Sequence, residues 1–182
     1  MASSKLLSLP PELRDIIYRL ALLEDGPIFL KEPQAFQQPG LLLTNSQIRN
    51  EAICLYYAEN LFVTSVWSYD ASPVRRLHNL QRTHVTASAA RSSIKCHIQK
   101  RGVPNWENLL KWLQSFYKGD APGYRHSPAK PYFNHIEAES QVLFTMFRLV
   151  AKAALNDSDW KFTKELLEAH HDLLIYHDPL WV

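Results

Sequence analysis

Hydrophobic side chains recur every three to four residues in several stretches of the chain, a spacing that predicts amphipathic helices. The first predicted helix runs from about Pro11 to Leu22 and has a proline in its first turn, where a missing N–H costs no hydrogen bond. A second helix is expected to begin at a cap on Thr44. The same periodicity predicts three further helices, one from Pro104 to about 117, one over 134–155 and one from 160 onward.

The start of the second helix carries a capping-box signal. Thr44 and Gln47 have the spacing at which a threonine hydroxyl accepts from a backbone N–H while the glutamine reaches back. We expect this helix to end near residues 58–60, because the run LFVTSVW that follows, residues 61–67, is rich in strand-forming side chains.

Other stretches show strand patterns instead. A short extended piece is expected at Ile28–Leu30. In residues 94–99 the apolar Ile94, Cys96 and Ile98 alternate with polar side chains, the pattern of a half-buried strand. Val85 and its neighbours are expected to pair with that second stretch. Together the patterns predict an α+β fold that is mostly helical, with a small antiparallel sheet.

The length of 182 residues suits one compact unit, in which a helical region at residues 1–66 runs into an α+β remainder at 67–182. Apolar residues make up 46% of the chain and charged residues 21%, as in ordinary globular proteins. No apolar run approaches the ~18 residues needed to span a bilayer. These values predict a globular protein with no membrane partner.

The N-terminus and the cysteines bear on the compartment. Pro10, Pro11 and nearby charges interrupt the apolar residues at the start, so we predict no secretory signal. The only cysteines, Cys54 and Cys96, lie far apart and without CxxC spacing, which favours two reduced thiols over a single bridge. We therefore expect a cytoplasmic or nuclear protein.

Charge is distributed unevenly although the net charge is only +2. No Asp or Glu occurs from Ala71 to Trp106. This basic segment has three interpretations. It is an anion-binding surface for nucleic acid or another anionic partner, it docks against the acidic C-terminal helices of the same chain, or it is an ordinary solvated face. The side chains that would bind an anion are Arg75, Arg76, Arg82, Arg91, Lys95, Lys100 and Arg101.

Motifs of enzymes and metal sites are missing from the sequence. It contains no GxSxG, no HExxH and no zinc-finger spacing, and its five glycines leave little room for a phosphate-binding loop. His170 and Asp178 suggest a metal site only weakly, because the adjacent His170 and His171 point about 100° apart on a helix. We predict no enzymatic activity, no cofactor and no metal.

Trp112 and Trp181 fit either the core or an interface.

Two stretches carry a pair of motifs. The first is Leu-Pro-x-Glu-Leu-Arg at residues 9–14. The second is Gln-Ile-Arg-x-Glu-Ala at 47–52, followed by Tyr-x-x-Asn-x-Phe at 57–62. With this double motif, the region from 6 to 66 resembles the F-box-like proteins abundant in filamentous fungi.

The resemblance implies an F-box-like helix pair and a role in protein–protein interaction. In F-box proteins, such a helix docks on a Skp-type adaptor of a cullin ubiquitin ligase, and the rest of the chain captures a target. It implies that Leu9, Pro10, Leu13 and Ile16 contact the adaptor, with an unknown target bound after residue 67. The implied function is a non-catalytic substrate receptor. The anion-binding module is the alternative.

Two features of these motifs have more than one interpretation. The apolar positions of the first helix, which include Leu13 and Ile16, either pack into the core or dock on a partner. Arg14 and Arg49 either pair with Glu51 or Glu12 to link the two helices, or bind a partner.

Overall fold

The computed structural model describes residues 5–30, 38–85, 95–124 and 135–182. In these ranges the chain is mostly helical, has a small sheet and ends in a short 3-10 turn at Pro179–Trp181. The helices are α1 Pro11–Leu22, α2 Gly40–Thr44, α3 Ser46–Glu59, α4 Ser72–His84, α5 Trp106–Tyr117, α6 His135–Leu155 and α7 Trp160–His177. The strands are β1 Ile28–Leu30, β2 Leu61–Trp67 and β3 Lys95–Arg101.

The chain divides into two compact units by its internal contacts. The N-terminal unit comprises Met1–Thr64 and Leu80–His97, and the C-terminal unit comprises Ser65–Asn79 and Ile98–Val182. Strands β2 and β3 and helix α4 contribute residues to both units.

The sheet has the strand order β1-β2-β3. Strand β1 pairs parallel to β2, with Ile28 opposite Phe62 and Leu30 opposite Thr64. The expected antiparallel sheet is therefore wrong, whereas the mostly helical character is confirmed. The connection explains the direction, because α2 and α3 lie between β1 and β2, and parallel strands need a crossover of about a dozen residues or more.

Helix α3 is the centre of the N-terminal unit and contacts both α1 and α2. It buries side chains around most of its circumference. Its aromatic rings pack against rings of neighbouring elements. Tyr57 is fully buried, and its ring stacks on Phe62 of β2 and on His84 of α4, with centroids 6.0 and 5.5 Å apart. Ring packing thus joins three elements of this unit.

The core of the C-terminal unit lies among α5, α6 and α7, which contact one another in every pair. Trp112 and Trp181 are both buried to about 1% exposure, so their core interpretation is confirmed. The Trp112 indole N–H donates to Pro122 O at 3.0 Å, which satisfies its polar group inside the core.

The predicted helices at Pro11–Leu22, over 134–155 and from 160 agree with the structure, and the helix predicted from Pro104 begins at Trp106. Helices α2 and α4 were not predicted, and one predicted cap is wrong. Helix α3 is capped by Asn45, whose Oδ1 accepts from Gln47 N at 2.7 Å. Thr44 instead ends α2 and donates its hydroxyl to Leu41 O. The predicted capping box was wrong because an asparagine one position later is as good an N-cap residue as threonine.

The expected strand near Val85 is also wrong. Residues up to His84 belong to α4, and Val85 follows the helix as a bend. The buried Val74, Leu77 and Gln81 are spaced for a helix rather than a strand. The strand expected around Cys96 is confirmed as β3.

Candidate functional site: the first helix and its polar anchor

Helix α1 has four apolar side chains on one exposed face: Leu13, Ile16, Ile17 and Leu20. We call this set the docking stripe. Leu20 is 82% exposed and Ile16 52% exposed. The core interpretation of these positions is therefore wrong, and the stripe lies on the surface of the N-terminal unit.

The opposite face of α1 is the buried one, and two of its three buried residues, Arg14 and Tyr18, carry hydrogen-bonding groups. Arg14, Tyr18 and Leu22 follow one another at four-residue spacing and point into the unit. This arrangement inverts the usual one, in which the apolar stripe of a surface helix faces the core. Polar contacts hold α1 in place, and its apolar side chains stay available.

Arg14 and Glu51 form the centre of those contacts. Arg14 Nε donates to Glu51 Oε2 at 2.9 Å and Arg14 Nη2 donates to Oε1 at 2.8 Å, the paired geometry at which arginine binds a carboxylate best. Arg14 Nη1 donates to Leu9 O at 2.6 Å. The first arginine of the double motif thus binds the glutamate of the second motif, on α3, as one of the two interpretations of Arg14 predicted.

Two more side chains complete the site around Glu51. The Tyr18 hydroxyl donates to Oε2 at 2.8 Å, and Gln47 Nε2 donates to Oε1 at 2.9 Å. Hydrogen bonds from Arg14, Gln47 and Tyr18, in that order, lower the pKa of Glu51 from 4.5 to about 2. Burial and then the bond to Glu51 raise the pKa of Tyr18. We call Arg14, Tyr18, Gln47 and Glu51 the polar anchor.

Asn60 holds the other end of α1. Its Nδ2 donates to Leu22 O at 2.9 Å and to Tyr56 O at 3.0 Å, and its Oδ1 accepts from Glu24 N at 2.9 Å. The side chain is 2% exposed, so water cannot replace these bonds. The asparagine of the Tyr-x-x-Asn-x-Phe motif therefore ties the ends of α1 and α3 together.

The remaining residues expected to contact an adaptor lie just before the docking stripe. Pro10 is exposed and forms the N-cap of α1, while Leu9 is half-buried and gives its carbonyl to Arg14. The structure therefore leaves Pro10, Leu13 and Ile16 accessible, and Leu9 partly so.

One interpretation predicted that Arg49 pairs with Glu51 or Glu12, but among the described residues it has no carboxylate partner. Its Nε donates to Leu42 O at 2.7 Å, a contact that joins α3 to α2. The arginine has a structural role, through a backbone carbonyl instead of Glu51 or Glu12.

The described arginines of the basic segment are all exposed. Arg75, Arg76 and Arg82 lie on α4, and Arg101 lies at the end of β3. The positions of Arg91 and of the Lys95 side chain lie outside the description.

Lys100 is engaged within the C-terminal unit. Its Nζ lies 3.5 Å from Glu139 Oε2 and over the rings of Tyr69 and Tyr124, at 5.7 and 5.4 Å from their centroids. Tyr69 also donates its hydroxyl to Glu139. Burial lowers the pKa of Lys100 against the opposing effect of Glu139. At this position, the docking of the basic segment onto a C-terminal helix is the interpretation that agrees with the structure.

The weak metal signal finds no support in the described part of the chain, where no three His, Cys, Asp or Glu side chains are grouped to hold an ion. His171 is occupied otherwise: its ring stacks on Trp106 and its Nε2 lies 2.8 Å from Trp181 O. No helix among the described residues is long and apolar enough to cross a bilayer.

Sequence reasoning missed two groups of this structure. Tyr18 was not expected to bind Glu51, although its four-residue spacing from Arg14 placed both on one helix face. The cluster of Lys100 with Glu139 and Tyr69 joins residues far apart in the chain, and no local pattern indicates it.

Comparison with known proteins identifies no relative of this chain. No family model matches the chain, and no curated protein or solved structure matches it. The function is therefore inferred from the sequence motifs and from the geometry of this chain.

Proposed function

We propose that this chain is a non-catalytic interaction protein that docks on a Skp-type adaptor through the docking stripe, as a substrate receptor of a cullin ubiquitin ligase. The observation that carries the proposal is the outward orientation of Leu13, Ile16, Ile17 and Leu20. The target would bind the part of the chain after residue 67.

The size of the docking stripe supports binding of another protein. From their exposed fractions, the four side chains present on the order of 400 Å² of apolar surface, in the range of the largest patch on a typical monomer. An apolar helix face of this kind fits a groove on a partner, with anchors at i, i+3, i+4 and i+7.

The polar anchor supports the same proposal. Arg14 makes three hydrogen bonds that fix the helix to α3 and to the turn before it. A helix held in its binding orientation loses little further freedom when a partner covers it. The motif residues Arg14, Glu51 and Asn60 then serve to present the docking stripe, while Pro10, Leu13 and Ile16 make the contact.

The alternative, an anionic partner bound by the basic segment, has less support. Lys100 already pairs with Glu139 and is therefore engaged within the chain. Flat salt dependence of any nucleic-acid binding would remove this alternative, because phosphate contacts release counterions.

The test compares binding of the purified chain to a purified fungal Skp-type adaptor by biolayer interferometry. A Leu13→Asp, Ile16→Asp variant is expected to bind at least ~10-fold more weakly, because it places two carboxylates on the contact face. Both side chains are exposed, so its circular dichroism spectrum should match the wild type. Leu155→Asp, at an exposed apolar position of α6, is the control.

Three results would contradict the proposal. The first is that the folded wild-type chain does not bind the adaptor. The second is that the Leu13→Asp, Ile16→Asp variant binds as well as the wild type. The third is that Leu155→Asp weakens binding by the same factor as the Leu13→Asp, Ile16→Asp variant.

A further inference from the structure

A second exposed apolar stripe lies on α7 in the C-terminal unit. It consists of Phe162, Leu166, Ala169, Leu173 and Tyr176, all of which are exposed. Phe162 is 57% exposed and Tyr176 83% exposed. Their steps along the chain alternate between four and three residues, which is the 3.5-residue repeat of a coiled-coil seam. We call this set the α7 seam.

The α7 seam is separate from the face by which α7 packs on its own unit. That inner face carries the buried Thr163, Leu167 and Leu174. At 100° per residue, the centre of the α7 seam lies roughly 120° around the helix from the centre of the inner face. A partner helix can therefore cover the seam without displacing the core of the unit.

The charged side chains beside the seam favour one kind of partner. Leu166 and Leu173 occupy a positions of the heptad, which places Glu165 and Asp172 at g positions. The two e positions that follow them are histidines, His170 and His177. One border of the seam thus carries carboxylates and the other carries imidazoles.

This arrangement is complementary to a second copy of itself in one orientation only. In a parallel pair of helices, each g residue faces the e residue five positions later, so Glu165 meets His170 of the second copy and Asp172 meets His177. In an antiparallel pair, g faces g and e faces e, which places carboxylates against carboxylates. Parallel pairing therefore places acids against imidazoles, whereas antiparallel pairing places carboxylates where they repel each other.

We infer that the α7 seam is a self-association surface, on which a second copy of this chain packs with the two α7 helices parallel. The exposed parts of its four large side chains amount to on the order of 400 Å² per copy, so the pair buries about half of a standard interface. The dimer is accordingly weak and depends on protein concentration. It does not involve the docking stripe, which lies in the N-terminal unit.

Sedimentation equilibrium of the full chain tests the surface, over concentrations from ~5 to ~500 μM. The wild type is expected to shift from monomer to dimer in this range. A Leu166→Glu, Leu173→Glu variant should dimerise at least ~10-fold more weakly, because it introduces like charges across the seam. Val103→Glu, which changes an exposed apolar side chain that is not on α7, should dimerise as the wild type does.

The orientation has its own test, because two substitutions give opposite results in the two arrangements. In a His170→Lys, His177→Lys variant, the new ammonium groups face carboxylates in a parallel dimer and face each other in an antiparallel one. We expect tighter association than in the wild type, by about threefold. Circular dichroism verifies that both variants are folded.

The inference is overturned if the folded wild type stays monomeric over the whole range, or if the Leu166→Glu, Leu173→Glu variant associates as strongly as the wild type. Weaker association of the His170→Lys, His177→Lys variant would overturn the parallel arrangement. The Leu13→Asp, Ile16→Asp variant keeps the α7 seam intact, so failure of adaptor docking and failure of self-association are distinguishable.

Discussion

Replacing Asn60 with alanine is expected to destabilise the N-terminal unit by about 2–3 kcal/mol, because it removes three hydrogen bonds at once, two of them buried. The amide of Asn60 donates to Leu22 O and Tyr56 O and accepts from Glu24 N, at 2.9–3.0 Å. Leu22 is buried, so its carbonyl would lose a partner that water cannot replace. Glu24 is exposed, and its N–H can turn to solvent.

The magnitude follows from these three contacts. A net contribution of roughly 1 kcal/mol for each hydrogen bond gives about 3 kcal/mol, and solvation of the freed Glu24 N–H lowers the total slightly. Urea unfolding followed by circular dichroism at 222 nm measures the change. At an m-value of about 2 kcal/mol per molar, the midpoint should fall by about 1–1.5 M.

Asn60→Asp sharpens the test. The carboxylate keeps an acceptor for Glu24 N but has no donor for the Leu22 and Tyr56 carbonyls, and it buries a charge against them. It should therefore destabilise the unit more than alanine does. Asn50→Ala, at an exposed position of α3, is the control and should change the stability by less than about 0.5 kcal/mol. The reasoning is refuted if Asn60→Ala matches that control, or if aspartate is tolerated better than alanine.

Two further predictions concern the polar anchor and a backbone turn. Because the pKa of Glu51 is about 2 in the folded chain against 4.5 ordinarily, its stabilisation is fully present above pH 4.5 and is lost as the pH falls toward 2. Urea midpoints measured at pH 2–7 should show a smaller loss in Glu51→Gln than in the wild type, and parallel curves would contradict this. Gly102 has φ +79°, and a Cβ there would lie 3.0 Å from Ser68 Oγ. Gly102→Ala should therefore cost about 1–2 kcal/mol in thermal unfolding, whereas Gly26→Ala, with open space around it, should be neutral; equal effects would refute the strain.

Five of the seven described helices were predictable because their signals are local, whereas α2 and α4 were missed. Helix α1 begins and ends at the predicted Pro11 and Leu22, and the C-terminal helices lie within a residue or so of their apolar patterns. Periodic burial and proline position act within a few turns of the chain, and no distant contact is needed to produce them. The cap of α3 was misplaced by one residue because Thr44 and Asn45 are both good capping side chains.

The direction of the sheet was not predictable in the same way. The pattern of each strand, such as β2 with its buried Phe62 and Thr64, does not depend on the direction of its neighbour. Direction is set by the path of the connection, here through α2 and α3, which brings β1 and β2 side by side in parallel. A strand pattern predicts a strand, and only the packed helices decide its partner.

The candidate site was likewise predictable in part. The sequence by itself determined that α1 has an apolar face at Leu13 and Ile16, and that Arg14 had a candidate partner in Glu51. Only the tertiary structure decided which face of α1 is buried, because Glu51 lies 37 residues away and binds Arg14 and Tyr18 together. Those polar contacts outweigh the usual tendency of an apolar face to turn inward, and they leave the docking stripe in solvent.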